Sequence, residues 1–146
     1  MVSKLKLKNI KQKVMIHGAT PEEVYDALMD SKKHEEFTCS PAQIDPKVGG
    51  AVNAWDGYIT GKNIELEYGK RIVQEWQTTE WPEGYPPSRL ELNLKKVEGG
   101  TEIDMVQSGV PAEQAQMYDE GWYESYWDPL NEYFDKNQGK GSLCSP

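Results

Sequence analysis

The chain has 146 residues, a length that fits one domain around one core, and its formal net charge is -8. Five Trp and eight Tyr within a hydrophobic fraction of 37% exclude a disordered chain. The acidic balance opposes nucleic acid and anionic membrane surfaces as partners; the absence of a bilayer-length apolar run and the polar start then make the cytoplasm the expected location.

Residues 1–8 read as a basic N-terminal arm, in which Lys4, Lys6 and Lys8 begin a positive run that Lys11 and Lys13 continue. Over 9–17, Ile10, Gln12, Val14 and Ile16 alternate with the lysines and Met15, the period of a strand with one buried face. Gly18 ends it. Thr20-Pro21-Glu22-Glu23 then supplies a capping hydroxyl, a proline at the first helical position and a reciprocating carboxylate. The helix that follows, with Val24, Tyr25, Ala27 and Leu28 on one face, should fade near Asp30 and Ser31, with a further turn up to Phe37.

From Gln43 to Gln107 short β-rich runs alternate with glycine turns, which predicts an antiparallel meander with strands at 42–45, 51–56, 58–67, 70–79, 88–97 and 101–108. Three prolines keep the loop from Trp81 to Pro87 out of the sheet and present Trp81 and Tyr85 in an exposed setting. After Pro111 the spacing of Tyr118, Trp122 and Tyr126, continued by Leu130, Tyr133 and Phe134, predicts a long C-terminal helix. Pro129 should kink it or end its regular part near Trp127. Residues 138–146 have the composition of a flexible tail, which leaves 9–137 as the domain. Cys39 and Cys144, the only cysteines, are expected to stay reduced and without function.

Strand, helix, meander and long helix in this order describe an α+β helix grip, a curved antiparallel sheet wrapped around the last helix. The space between them is open to side chains or to a ligand. Catalysis is not indicated. His17 and His34, the only histidines, lack a partnered nucleophile and are expected at the surface. The acidic residues come as adjacent pairs that point apart on a helix, and neither a phosphate loop nor a dinucleotide fingerprint occurs. No catalytic residue, cofactor or metal ligand is therefore assigned.

The informative residues are aromatic, and core packing, a lined cavity and a protein-binding face remain open readings of Trp55, Tyr58, Trp76, Trp81, Trp122, Tyr126 and Trp127. Trp55, Tyr58, Trp76, Tyr118, Trp122 and Tyr126 are the candidates to line a cavity, with Trp55, Trp76, Trp122 and Tyr126 expected to fill most of it. Trp81, Pro82, Glu83 and Tyr85 are the candidates to meet a partner.

The order and spacing of Pro21-Glu22-Glu23-Val24-Tyr25, Val48-Gly49-Gly50, Asp56-Gly57 with Gly61, Trp81-Pro82-Glu83-Gly84, Gly109-Val110-Pro111-Ala112 and Gly121-Trp122 with Tyr126 resemble the C-terminal domain of the activators of heat shock protein 90 ATPase. That family lies in the START-like superfamily that shares the birch-pollen allergen fold. The resemblance implies a cochaperone module that binds the chaperone and favours its hydrolysing state without being an ATPase. The Asn-x-Asn-Asn-Trp-His-Trp signature of the activators' separate N-terminal domain does not occur in these 146 residues, so binding is expected to be weak. A small hydrophobic molecule in the central cavity is the alternative that the superfamily implies.

Overall fold

The computed structural model describes residues 6–136. Its sheet begins with β1 (Leu7–His17), and the crossover carries α1 (Pro21–Met29) and α2 (Ser31–Thr38). The meander is β2 (Gln43–Ile44), β3 (Ala51–Ala54), β4 (Ile59–Glu67), β5 (Arg71–Thr78), β6 (Ser88–Val97) and β7 (Gly100–Pro111). All seven strands form one antiparallel sheet in the order β1-β7-β6-β5-β4-β3-β2. A short 3-10 turn (Ala112–Gln114) leads into α3 (Ala115–Trp122), a π-helical stretch (Tyr123–Trp127) and α4 (Asp128–Lys136). This is the α+β helix-grip architecture. No helix among the described residues is long and apolar enough to cross a membrane.

Local chemistry explains most boundaries. Thr20 accepts from the Glu23 backbone N–H at 3.1 Å while the Glu23 carboxylate accepts from Thr20 N–H at 2.9 Å, so the capping box starts α1 as the sequence predicts. α2 runs a full eight residues because Asp30 caps it and because His34, Phe37 and Thr38 bury one face. His34 is only 3% exposed, which corrects its expected surface position: Lys32, Lys33 and Glu35 are exposed while His34, with Phe37 and Thr38, turns to the core. β1 starts at Leu7, so the last two residues of the expected arm are strand; residues 1–5 and the expected tail lie outside the described residues. Lys11 and Lys13 stay exposed on this edge strand, where lysine discourages pairing with a further strand. Cys39 caps α2 in a left-handed conformation, and Cys144 lies outside the described residues.

Two further corrections bear on the site. β3 ends at Ala54, two residues before its expected limit, because Trp55 and Asp56 both take φ 54° and Gly57 takes φ 90°. Strand preference for Trp loses here to the Asp-Gly turn. The second concerns extent: regular α-helix is interrupted up to Trp127, near the expected place, with the Asp128 N–H bonding the Tyr123 carbonyl five residues back, but Pro129 does not end the helix, which resumes beyond that turn. The wider π turn absorbs the missing proline N–H and adds one residue to the spiral just where the aromatic stripe meets the sheet.

The inner face of the sheet and the last helix are joined by polar contacts as well as by apolar packing. Trp122 Nε1 donates to Gln107 Oε1 at 2.9 Å and Trp127 Nε1 donates to Gln12 Oε1 at 2.7 Å. The Gln12 amide donates in turn to the Asp119 carbonyl at 2.8 Å. Asn131 spans the edge of β1, donating to the Met15 carbonyl at 3.0 Å and accepting from His17 N–H at 2.8 Å.

Sheet register near the site depends on Gly61, which pairs with Trp76; a Cβ there would lie 1.9 Å from the Glu75 carbonyl oxygen. Gly61→Ala must separate β4 from β5 and should lower stability by about 1–3 kcal/mol, the usual range for forced overpacking. Urea denaturation measures it, and a midpoint equal to the parent's would show that the strands part at no cost.

Candidate functional site

The helix stripe, β5 and the β3–β4 turn converge at one end of the grip. Tyr118 and Trp122 come from α3, Tyr126 from the π turn, Trp76 from β5, and Trp55 and Tyr58 from the turn that closes β3 on β4. All six predicted lining residues border a single cavity of about 340 Å³, together with Ile59, Met117, Gly121, Glu124 and Ser125. That size is at the lower end of small-molecule pockets.

Ring contacts hold the walls. The Trp76 and Trp122 centroids are 5.4 Å apart, Trp76 and Tyr118 also 5.4 Å, and Trp122 and Tyr126 5.0 Å, distances at which aromatic pairs attract beyond the area they bury. Deeper between sheet and helix the space shrinks to about 30 Å³ beside Met29, His34 and Gln74. The interior is therefore filled as expected in depth, but the mouth is not.

Most polar groups of the walls are committed. The Tyr118 hydroxyl donates to Gln114 Oε1 at 2.8 Å and lies 2.6 Å from Thr78 Oγ1, and the Tyr58 hydroxyl donates to Glu80. Burial raises the pKa of all three phenols, Tyr58, Tyr118 and Tyr126, and the Glu80 bond adds to the rise at Tyr58, so they remain neutral hydroxyls. Two buried side-chain atoms among the described residues have no hydrogen-bond partner, Trp55 Nε1 and His34 Nδ1. Both border Tyr126. His34 Nε2 lies 3.2 Å from its hydroxyl. Burial raises the Tyr126 pKa, and the neighbouring Trp55 N–H works against that rise. Burial pushes His34 down to about 4, which keeps the ring neutral.

Trp55 carries a backbone cost as well. A bulky residue with positive φ is an outlier, and such positions typically cost about 1–3 kcal/mol unless the surroundings impose them.

The candidate partner residues sit beside this cavity, and their setting differs from the expected one. Trp81 and Tyr85 are half-buried, not exposed. The Trp81 ring packs 5.6 Å from Tyr118 and 6.1 Å from Trp76, and its N–H donates to the Pro86 carbonyl at 2.8 Å, so the loop folds over its own tryptophan. Pro82 is half-buried and Glu83 exposed.

Sequence reasoning missed Met117, Gly121, Glu124 and Ser125, which share a helix face one position away from the Tyr118 stripe; the 4-residue spacing of Met117, Gly121 and Ser125 was the available signal. It also missed His34. No group of three or more His, Cys, Asp and Glu side chains that could hold a metal occurs among the described residues.

The profile of the family described as activator of Hsp90 ATPase homolog 1-like protein matches residues 18–135. The human activator of 90 kDa heat shock protein ATPase homolog 1 is 30% identical over 115 residues, which cover 79% of this chain and 34% of that protein. The chain thus spans about a third of the length of the curated relatives it matches. The crystal structure of an Hsp90 activator from Plasmodium falciparum superimposes with a TM-score of 0.74 at 21% identity, covering 87% of this chain and 94% of that one. The Aha1 dimer from Colwellia psychrerythraea gives 0.69 at 20% identity, covering 85% and 96%. At these identities the two structures attest the shared fold.

Proposed function

Because the chain belongs to the activator of Hsp90 ATPase homolog 1-like family, we propose that it is a non-catalytic cochaperone-like module that binds the heat shock protein 90 chaperone weakly and stimulates its ATPase. The observation that carries this reading is the family match, which runs from Gly18 to Asp135 in the last helix and takes in every wall of the cavity and the loop beside it. We place the contact on the loop from Trp81 to Pro87. Its prolines and the Trp81–Pro86 hydrogen bond hold it in shape before docking, which reduces the entropy lost on association.

The test is titration of the chain into heat shock protein 90 from the same organism, with ATP turnover followed in parallel. Binding at micromolar concentration is expected. Trp81→Ala should weaken it roughly tenfold, about 1.4 kcal/mol, because an aromatic anchor outweighs its rim, whereas Glu83→Ala should cost less than about 1 kcal/mol. No binding and no stimulation at high micromolar concentration would sink the reading; unaltered binding by Trp81→Ala would move the interface elsewhere.

A second reading is favoured by the cavity itself. An aromatic space of about 340 Å³ that its own side chains leave open suits a carrier or sensor of a small hydrophobic molecule.

A further inference from the structure

We propose that the outer edge of β1 receives an extended acidic segment of a partner protein as a further strand, with Lys11 and Lys13 selecting alternate carboxylates on that segment. This goes beyond the chaperone reading above and does not depend on it, since it uses residues outside the loop from Trp81 to Pro87.

The open sheet has two edges, β2 and β1, and they are finished differently. β2 is two residues long and Ser31 closes it: the Ile44 N–H donates to Ser31 Oγ at 2.8 Å, and the Ser31 hydroxyl donates to the Ile44 carbonyl at 3.3 Å. β1 is eleven residues long, and only its end is closed. There the Asn131 amide donates to the Met15 carbonyl and accepts from the His17 N–H, as a neighbouring strand would. The ladder with β7 is unbroken from Ile10 to His17, so backbone groups alternate between facing β7 and facing outward. Those of Met15 and His17 face outward, and by the same period so do those of Lys11 and Lys13. Neither lysine's backbone has a hydrogen-bond partner on that side among the described residues. An exposed row of this kind is a template for one more strand.

Side chains narrow the guest. Lys11 and Lys13 lie on the exposed side of the strand, while Ile10, Gln12 and Val14 are buried on the other. Lys13 makes one loose contact, 3.8 Å from Asp104 with both side chains well exposed, and Lys8 and Lys11 have no ion pair among the described residues. In a chain of net charge -8, this stretch of edge presents uncommitted positive charge. A residue directly opposite each lysine has its Cβ about 4.5–5.5 Å away, where opposite charge stabilises and like charge destabilises. A second copy of β1 in antiparallel register would bring lysine beside lysine, so the side chains that discourage self-pairing also select an acidic strand. The guest's other residues would turn toward α3, where Asp119 accepts from Gln12, and are best uncharged. The edge thus fits a carboxylate at every second position, with main-chain hydrogen bonds supplying affinity.

The experiment titrates the ¹⁵N-labelled chain with the end-capped peptide Thr-Glu-Val-Glu-Val-Glu-Thr, with its counterpart carrying lysine for glutamate, and with the acidic peptide N-methylated at its glutamates. N-methylation keeps the charge and removes the N–H groups that would face Lys11 and Lys13. The acidic peptide should move the Lys11 and Lys13 amide resonances most and slow their hydrogen exchange, and N-methylation should weaken it at least about tenfold. Lys11→Glu with Lys13→Glu, both at exposed positions, should reverse the preference so that the lysine peptide binds more tightly than the acidic one. Equal binding of the N-methylated and parent peptides would reduce the contact to charge alone and overturn strand addition. Equal affinity for the acidic and lysine peptides would overturn the selection by charge. Exchange protection of Lys11 and Lys13 that grows with protein concentration alone would assign the edge to a second copy, and no binding at about 1 mM peptide would overturn the proposal outright.

Discussion

Trp127→Ala is expected to lower the melting temperature by roughly 10–20 °C, the cost of about 3–5 kcal/mol that follows removal of a large buried aromatic from a domain of this size. Trp127 is 1% exposed, and its ring stacks on Trp122 at 5.4 Å and an interplanar angle of 16°. Its loss would do more than open a void. Gln12 Oε1 would keep its place on the inner face of the sheet without the indole N–H that now satisfies it, and a buried unpaired acceptor costs about 1–3 kcal/mol. Against a typical total of about 5–15 kcal/mol, the variant would stand near the limit of folding. Trp127→Phe separates the two effects: it refills much of the volume but leaves Gln12 unpaired, so it should fall between the parent and Trp127→Ala. Thermal unfolding followed by circular dichroism measures all three. A Trp127→Phe variant as stable as the parent would show that the Gln12 bond contributes nothing.

Much of this architecture is legible in the sequence because it is set by local rules. The Thr20–Glu23 capping box, the alternation of Ile10, Gln12, Val14 and Ile16, and the four-residue spacing of Tyr118, Trp122 and Tyr126 each reflect one element's own period or cap. The six residues predicted to border a cavity do converge, since strand and helix periods place them on inward faces. What the sequence hides depends on competition between neighbours. Trp55 reads as strand by propensity, and the decision lies with Asp56-Gly57. Trp81 reads as exposed in a proline-rich loop, yet Trp76 and Tyr118 offer it a surface that periodicity within the loop cannot reveal. The extra residue of the π turn changes which face Trp127 presents, and no local pattern announces it beyond Pro129 itself.

His34 makes the same point and leads to the second large effect. Its charged neighbours suggest a surface residue, while helix spacing with Phe37 and Thr38 puts it against Tyr126, where burial holds it near pKa 4 instead of 6.5. A depressed histidine binds fewer protons folded than unfolded between those values, so its neutral burial contributes stability that is present above pH 6.5 and lost as the pH falls toward 4. The full loss is about 3 kcal/mol, and about 2 kcal/mol of it should be gone by pH 5, before most carboxylates titrate. Denaturation midpoints of the parent should therefore drop steeply between pH 7 and 5. His34→Phe keeps the ring packing on Phe37 but cannot protonate, so its profile should be nearly flat over that interval, starting lower because the Tyr126 hydroxyl loses a partner. Parallel profiles would show that His34 charges without penalty, and the Tyr126 corner of the cavity would then have to be wetter than its burial implies.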